Sequence, residues 1–397
     1  MDERTPADSL HRIAVRLPRS RGSCVTLCEF ARLRIETIRD FRRSATMKVA
    51  LICLLVALGA DRAQAAQFCV GTSAELQQAL DTSVTNGESN DIRVVIGLHV
   101  APPNGFVYLD SSTAPRSLRI SGGWIPVLFN PCGTRSGAAL DTRISGNDLA
   151  RAMLIRPGEQ TDLIVEGLTF EDGMLEGQPD GRGAGLWVQA TSASTGDVTI
   201  RDNIFRRNRA DTFGGGLEAG GAGAFTIRNN LFIANSACSN AAASLTANSL
   251  VPTFVINNTV VYNFLRADCS GGSGGLRIGG SAEVLIANNI FWDNQAIDLA
   301  LQTPNAILVA NDYLVLSGTP PASSSMNVSV DPLFDFPVQG FRPSADSPLI
   351  DLGVMPQPGD AWQLSALDLD GRQRVLGSAV DLGAYELSDR IFEDGFD

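Results

Sequence analysis

Between about residues 200 and 295 the chain writes one phrase four times, as IRDNIFRRN, IRNNLFIAN, INNTVVYN and IANNIFWDN. Anchored on Asp202, Asn229, Asn257 and Asn288, the copies lie 27, 28 and 31 residues apart. Each has a strand-like apolar stretch, a polar pair, a bulky apolar residue three positions on and an Asn six positions on. A fixed period of this size means stacked units that bury their apolar faces only against their neighbours.

The units are rich in Val, Ile, Phe and Thr and lack helical periodicity, so they read as short strands. A second landmark, a small-residue run ending in Leu, falls at Leu186, Leu217, Leu245 and Leu276. Each unit is then a glycine turn, a strand, a second turn, a strand, a polar corner and a third strand. Coils stacked in parallel sit about 4.8 Å apart. That spacing predicts an internal stack of Phe170, Phe205, Phe232, Val260 and Phe291, and Asn ladders at the corners. Upstream, Gly122, Gly146 and Gly167 recur at intervals of 24 and 21, a tighter series that starts at Arg93 to Ile96. The fold class expected is all-β, a right-handed parallel β-helix of roughly eight to ten coils.

Such a stack exposes strand edges at both ends. Thr72 to Glu75 forms a capping box, followed by Leu76, Ala79, Leu80 and Val84 at helical spacing, which predicts a lid helix ending near Asn86-Gly87. A Pro- and Asp-rich segment from Asp331 to Glu386 is expected to wrap the last coil. Met47-Lys48, an apolar core and Ala63-Gln64-Ala65 read as a secretory signal peptide. The domain reading is therefore 1–46 an N-terminal extension that is not native, 47–65 the signal peptide and 66–92 the N-terminal cap. The β-helix follows over 93–315, then a C-terminal capping region over 316–386 and a tail over 387–397. This places the protein outside the cell or on its surface, as a monomer.

FCV–TSAELQQAL, ISGGW, GLTFEDG, the GGGL runs and the INNTVVYN-type strands resemble parallel β-helix proteins of the pectin-lyase-like superfamily. DPLF (331–334), SPLIDLG (347–353), LDLDGRQR (367–374) and VDLGAYE (380–386) resemble the end of bacterial surface β-helix proteins with a choice-of-anchor type C-terminal region. The resemblance covers most of residues 68–386. It implies the fold, and it leaves activity open because the grouping mixes enzymes with adhesin-like proteins.

Of the 31 basic and 43 acidic residues, 12 and 7 lie in the first 65, which leaves 19 and 36 and a net charge near −17. That surface argues against nucleic acid and anionic membrane as partners. Beyond the signal peptide four cysteines remain: Cys69, Cys132, Cys238 and Cys269. Cys238 lies six residues after Phe232 and Cys269 nine after Val260, so both fall in the same turn of adjacent coils. That register favours Cys238–Cys269, with Cys69–Cys132 as the second disulfide. None sits in a CxxC or near a His, so no metal site is expected among them.

The only Lys is Lys48 and the only His past the signal peptide is His99, so His triads and Lys bases are excluded. Chemistry would fall to carboxylates and arginines. The turn after the Phe stack carries Glu171, Asp172, Glu176, Asp180 and Arg182 in one coil and Arg206, Arg207, Arg209 and Asp211 in the next. Arg266, Asp268 and Asp293 continue the ridge. As an enzyme, the chain would use Asp172, Asp180, Asp211, Arg182 and Arg207 on a glycosidic bond or a uronate, with calcium as the one cofactor to consider. The competing reading is a set of surface ion pairs. No signature of pectate lyases, polygalacturonases or pectin esterases is present. LDLDGRQR has a D-x-D-G element without calcium-loop spacing, which favours a tail turn. Trp187 and Trp292 each lie one residue beyond an inward position and so point outward, as platforms for a polysaccharide or cell-surface glycan. A non-catalytic, glycan- or surface-binding scaffold is the function expected first, and a polysaccharide lyase or glycoside hydrolase the alternative.

Overall fold

A computed structural model of the chain describes residues 65–178, 180–269, 271–335 and 340–387. All belong to one compact unit, Ala63–Asp397. Residues 1–64, which hold Cys24, Cys28, Cys53 and nearly all of the expected signal peptide, and residues 388–397 of the expected tail lie outside the described residues. Among the described residues no helix is long and apolar enough to cross a membrane.

Three sheets carry the chain. Sheet A runs from Ala66–Val70 to Ser323–Ser325, sheet B from Gly97–Val100 to Asp312–Tyr313, and sheet C from Phe106–Leu109 to Leu316–Gly318. One turn of the chain visits all three: Val198–Arg201 in A, Ile204–Arg206 in B, Leu217–Gly221 in C, then Phe225–Arg228 back in A. Equivalent strands of successive coils pair in parallel, as Val198 with Phe225 and Ile204 with Leu231. The fold is a parallel β-helix. Coiling begins earlier than the expected Arg93, because Ala66–Val70 already pairs with Asn90–Val95. It ends later than Val315, because Leu316–Gly318 and Ser323–Ser325 still pair with the preceding coil.

Two landmarks of the repeat shift register. Gly122 and Gly167 stand at the same corner one coil apart, since Ser121 pairs with Glu166, whereas Gly146 follows a sheet B strand. The tighter glycine series therefore mixes two corners. In sheet C, Leu186, Leu217, Ala243, Leu276 and Leu299 share one row, and Leu245 pairs with Ala219 and Ile278. The AASL run is thus offset by two residues. An offset of two keeps the inward face, and volumes compensate: Leu217 and Ala219 face Ala243 and Leu245, large beside small.

Alternation along each strand builds the core. Phe170, Phe205 and Phe232 are buried and stacked, with centroids 5.2 and 4.7 Å apart and ring planes within 10°. Val260 and Phe291 continue the column in register. Burying each such ring contributes roughly 1.5–3 kcal/mol.

The corners repeat a two-residue device. Asp202, Asn229, Asn257 and Asn288 all have φ between 52° and 59°, the left-handed region that Asn and Asp tolerate best. The residue after each is a buried Asn. Asn203, Asn230, Asn258, Asn289 and Asn311 form a ladder in which, from Asn230 on, each Oδ1 accepts the backbone N–H and the amide of the Asn one coil before. The second corner does the same with Asn208, Asn235, Asn263 and Asn294, ending on Asp298. A bent strand cannot satisfy its own backbone at a corner, and these amides replace the missing bonds.

Helix α1 (Ser73–Thr85) begins at the predicted capping box, with Asn86 as its C-cap. Its Gln77 amide donates to the Val107 carbonyl and accepts from the Val107 N–H, closing the edge of sheet C. The C-terminal segment takes a different course from the one expected. It lies along the outer face of sheet B, where Phe341, Leu369, Ala384 and Tyr385 pack on Ile204, Leu231 and Val261. Leu349 and Leu382 pack on Ile290 and Ala310. The cause is in the repeat: Ile and Leu precede the inward Phe, so sheet B is apolar on both faces and needs a cover. The D-x-D-G element is a turn, in which Asp368 accepts the N–H groups of Asp370 and Arg372. Both predicted disulfides form, Cys69–Cys132 and Cys238–Cys269, with Cα separations of 5.9 and 5.2 Å.

Candidate functional site

The acidic–arginine ridge exists, as stacked turns between sheets B and C. Met174, Arg209 and Ser236 bridge in parallel, as do Arg182, Phe213 and Ser239. Leu175, Ala184, Ala210, Ala237 and Ala241 form a small buried cluster among these turns. On the surface the charges engage one another in two groups. In the first, buried Glu171 meets Arg143, Arg206 and Arg207, and Arg207 also donates to Asp172 at 2.8 Å. In the second, Arg266 meets Glu176, Asp211 and Asp268, while Glu176 also holds Arg209. Asp211 accepts the Gly177 N–H as well.

Asp180 and Arg182 stand apart from these pairs. Asp180 lines a cleft of about 210 Å³ with Pro103, Leu149, Arg151 and Gln178. Arg151 donates to the main-chain carbonyls of Asp180, Arg182 and Gly183. The five candidate catalytic residues are therefore split among four settings: Asp172 with Arg207, Asp211 with Arg266, Asp180 at the cleft, and Arg182 with its guanidinium over the Phe213 ring. Among the described residues no group of three or more metal-ligating side chains is arranged to hold an ion. His99 is a buried strand residue whose Nε2 meets the Val95 carbonyl.

The two tryptophans stand on different sheets. Trp292 lies on the outer face of sheet B and packs against the clusters that the C-terminal segment completes. Trp187 lies on the outer face of sheet C, half-buried, with the Arg151 guanidinium 4.9 Å from its ring centroid.

Around Trp187 the outer face of sheet C is polar. Its row reads Leu154, Trp187, Glu218, Ser244, Arg277 and Ala300 in successive coils. The parallel row contains Gln189, Gly220, Thr246, Gly279 and Gln302. Arg277 lies across this face, donating to Thr246 at 3.0 Å and to Gln302 at 2.7 Å. Arg156 reaches Gln189. These arginines meet neutral oxygens, unlike those of the ridge. Glu218 is the carboxylate within the row. Burial pushes it up to about 7, against the Ser244 hydrogen bond and the Arg182 and Arg277 charges, which lower it. Its Oε2 is buried without a hydrogen-bond partner.

Sequence reasoning found Trp187 and Arg182 and missed Glu218, Ser244 and Arg277. The signal was available: each of Trp187, Glu218 and Arg277 directly follows the Leu that ends a glycine run. The two-residue offset in AASL hid Ser244.

No family model matches the chain, and no curated protein is similar to it. Among solved structures, a crystal structure of pectate lyase Pel9A aligns with a TM-score of 0.36 at 13% identity, over 82% of this chain and 97% of that one. The identification of the fold rests on the parallel sheets themselves.

Proposed function

We propose that this is an exported β-helix scaffold, extracellular or on the cell surface, that binds a glycan on the outer face of sheet C without cleaving it. The observation that carries the reading is the contrast between two surfaces. The ridge carboxylates Asp172, Glu176 and Asp211 are held by Arg207, Arg209 and Arg266, so they are poorly free to move protons. The face of sheet C instead aligns an indole, guanidinium and amide donors and a carboxylate on a rigid sheet, groups suited to sugar hydroxyls and carboxylates. Trp187 supplies the apolar surface, and Arg277, Gln189 and Gln302 supply directional bonds.

Export is supported by the leader pattern at Met47–Ala65 and by two disulfides, which persist in oxidising compartments. The likeness of the C-terminal motifs to choice-of-anchor regions belongs to the same reading. Affinity electrophoresis in gels cast with neutral or uronate-rich polysaccharides tests the site. Retardation lost in Trp187→Ala and kept in Trp292→Ala supports it; retardation unchanged in Trp187→Ala refutes it. The alternative, a lyase or hydrolase using the acidic–arginine groove, with or without calcium, predicts product instead of retention.

A further inference from the structure

An antiparallel hairpin leaves the solenoid at the end of the sheet A strand Arg116–Val127 and returns as Asn130–Arg135. Val127 pairs with Asn130, so Leu128 and Phe129 alone form the turn. They are 83% and 96% exposed, and Val127 beside them is 44% exposed. From Ile125 to Pro131 the sequence IPVLFNP holds no charge. Turn chemistry does not account for these residues. Phe129 has φ 65°, a conformation that favours Gly or Asn at this position. The tip is also braced: Cys132 is tied to Cys69, and Gly133 lets the returning strand pack on Val127, whose Cγ2 would lie 2.0 Å from an added Cβ.

We infer that the Leu128–Phe129 tip inserts into the interface of a lipid surface with neutral headgroups. The protrusion is convex, apolar and rigid, which suits partial burial among acyl chains. It offers few polar groups to the rim of a protein pocket, since Asn130 Oδ1 is already taken by the Cys132 N–H. The net charge near −17 beyond the leader disfavours anionic lipid, and the tip has no cation to offset that. Two side chains alone give weak, reversible association, which serves to orient a protein held by a second contact.

Flotation of the exported protein, from Ala66 onward, with phosphatidylcholine vesicles, and with vesicles containing phosphatidylglycerol, tests this. The expected result is flotation at millimolar lipid, stronger on the neutral vesicles, and reduced roughly tenfold or more in Phe129→Ser and Leu128→Ser. Phe129→Gly keeps the turn conformation and should also lose flotation, which separates insertion from folding. Absence of flotation, or flotation indifferent to these substitutions, overturns the proposal in favour of a protein pocket as the tip's partner.

Discussion

Arg374 Nη1 donates to Asn229 Oδ1 at 3.3 Å across 145 residues of sequence, and both side chains are buried. The same guanidinium donates from Nη2 to the carbonyls of Asp381 and Gly383. One coil on, the Asn257 amide donates to those two carbonyls, and a further coil on Asn288 exchanges two bonds with Val354. The left-handed residue at the Asn229, Asn257 and Asn288 corners thus has a second task. Its inner neighbour joins the coils, while it reads the backbone of the C-terminal segment.

Arg374 stands among Asp368, Asp381 and Glu386, all pushed up chiefly by burial. Arg374→Met leaves those carboxylates uncompensated and should cost about 3–5 kcal/mol, measured by urea unfolding. Asn229→Gly suits the backbone at φ 58° and removes the contacts to the segment together with one amide bond to Asp202 of the preceding coil. Limited proteolysis of that variant should release the C-terminal segment while the coils stay intact.

Asn258→Ala cuts the inner ladder. It deletes bonds to the Ile227 carbonyl and to Asn230 and Asn289, leaving buried donors unpaired. The expected loss is about 2–5 kcal/mol, more than for Asn229→Gly. Equal losses would mean that the two members of the corner pair are not specialised.

How much of this was legible in the sequence differs by element. The spacing of Asp202, Asn229, Asn257 and Asn288 carried the solenoid, and the capping box at Thr72 carried its lid, because both rest on local patterns. The course of the C-terminal segment was not read. Its cue was the apolar residue before Phe205, Phe232 and Phe291, which period-two reading treats as noise until a second buried face is allowed. Glu218 was legible by position, following Leu217 as Trp187 follows Leu186, but its burial was not. Its raised affinity for protons comes from burial, which only the register of sheet C reveals.

Glu218 predicts a pH effect of definite sign. Its carboxyl is pushed up to about 7 from 4.5, so the native state holds the proton that the unfolded chain has released between those values. The contribution to stability is fully present below pH 4.5 and is lost as pH rises through about 7. Denaturation of wild type and Glu218→Gln across pH 4 to 8.5 should show a shallower decline in the variant. An identical slope in both would place the Glu218 carboxyl at its ordinary affinity.

The most direct test of recognition without cleavage incubates the full chain with acidic and neutral polysaccharides, with calcium or with chelator. Reducing ends, unsaturated uronate and retained polysaccharide are followed together. The account predicts retention that depends on Trp187 and no product under any condition. Product that disappears in Asp180→Asn or Asp211→Asn would contradict it and make the ridge an active site.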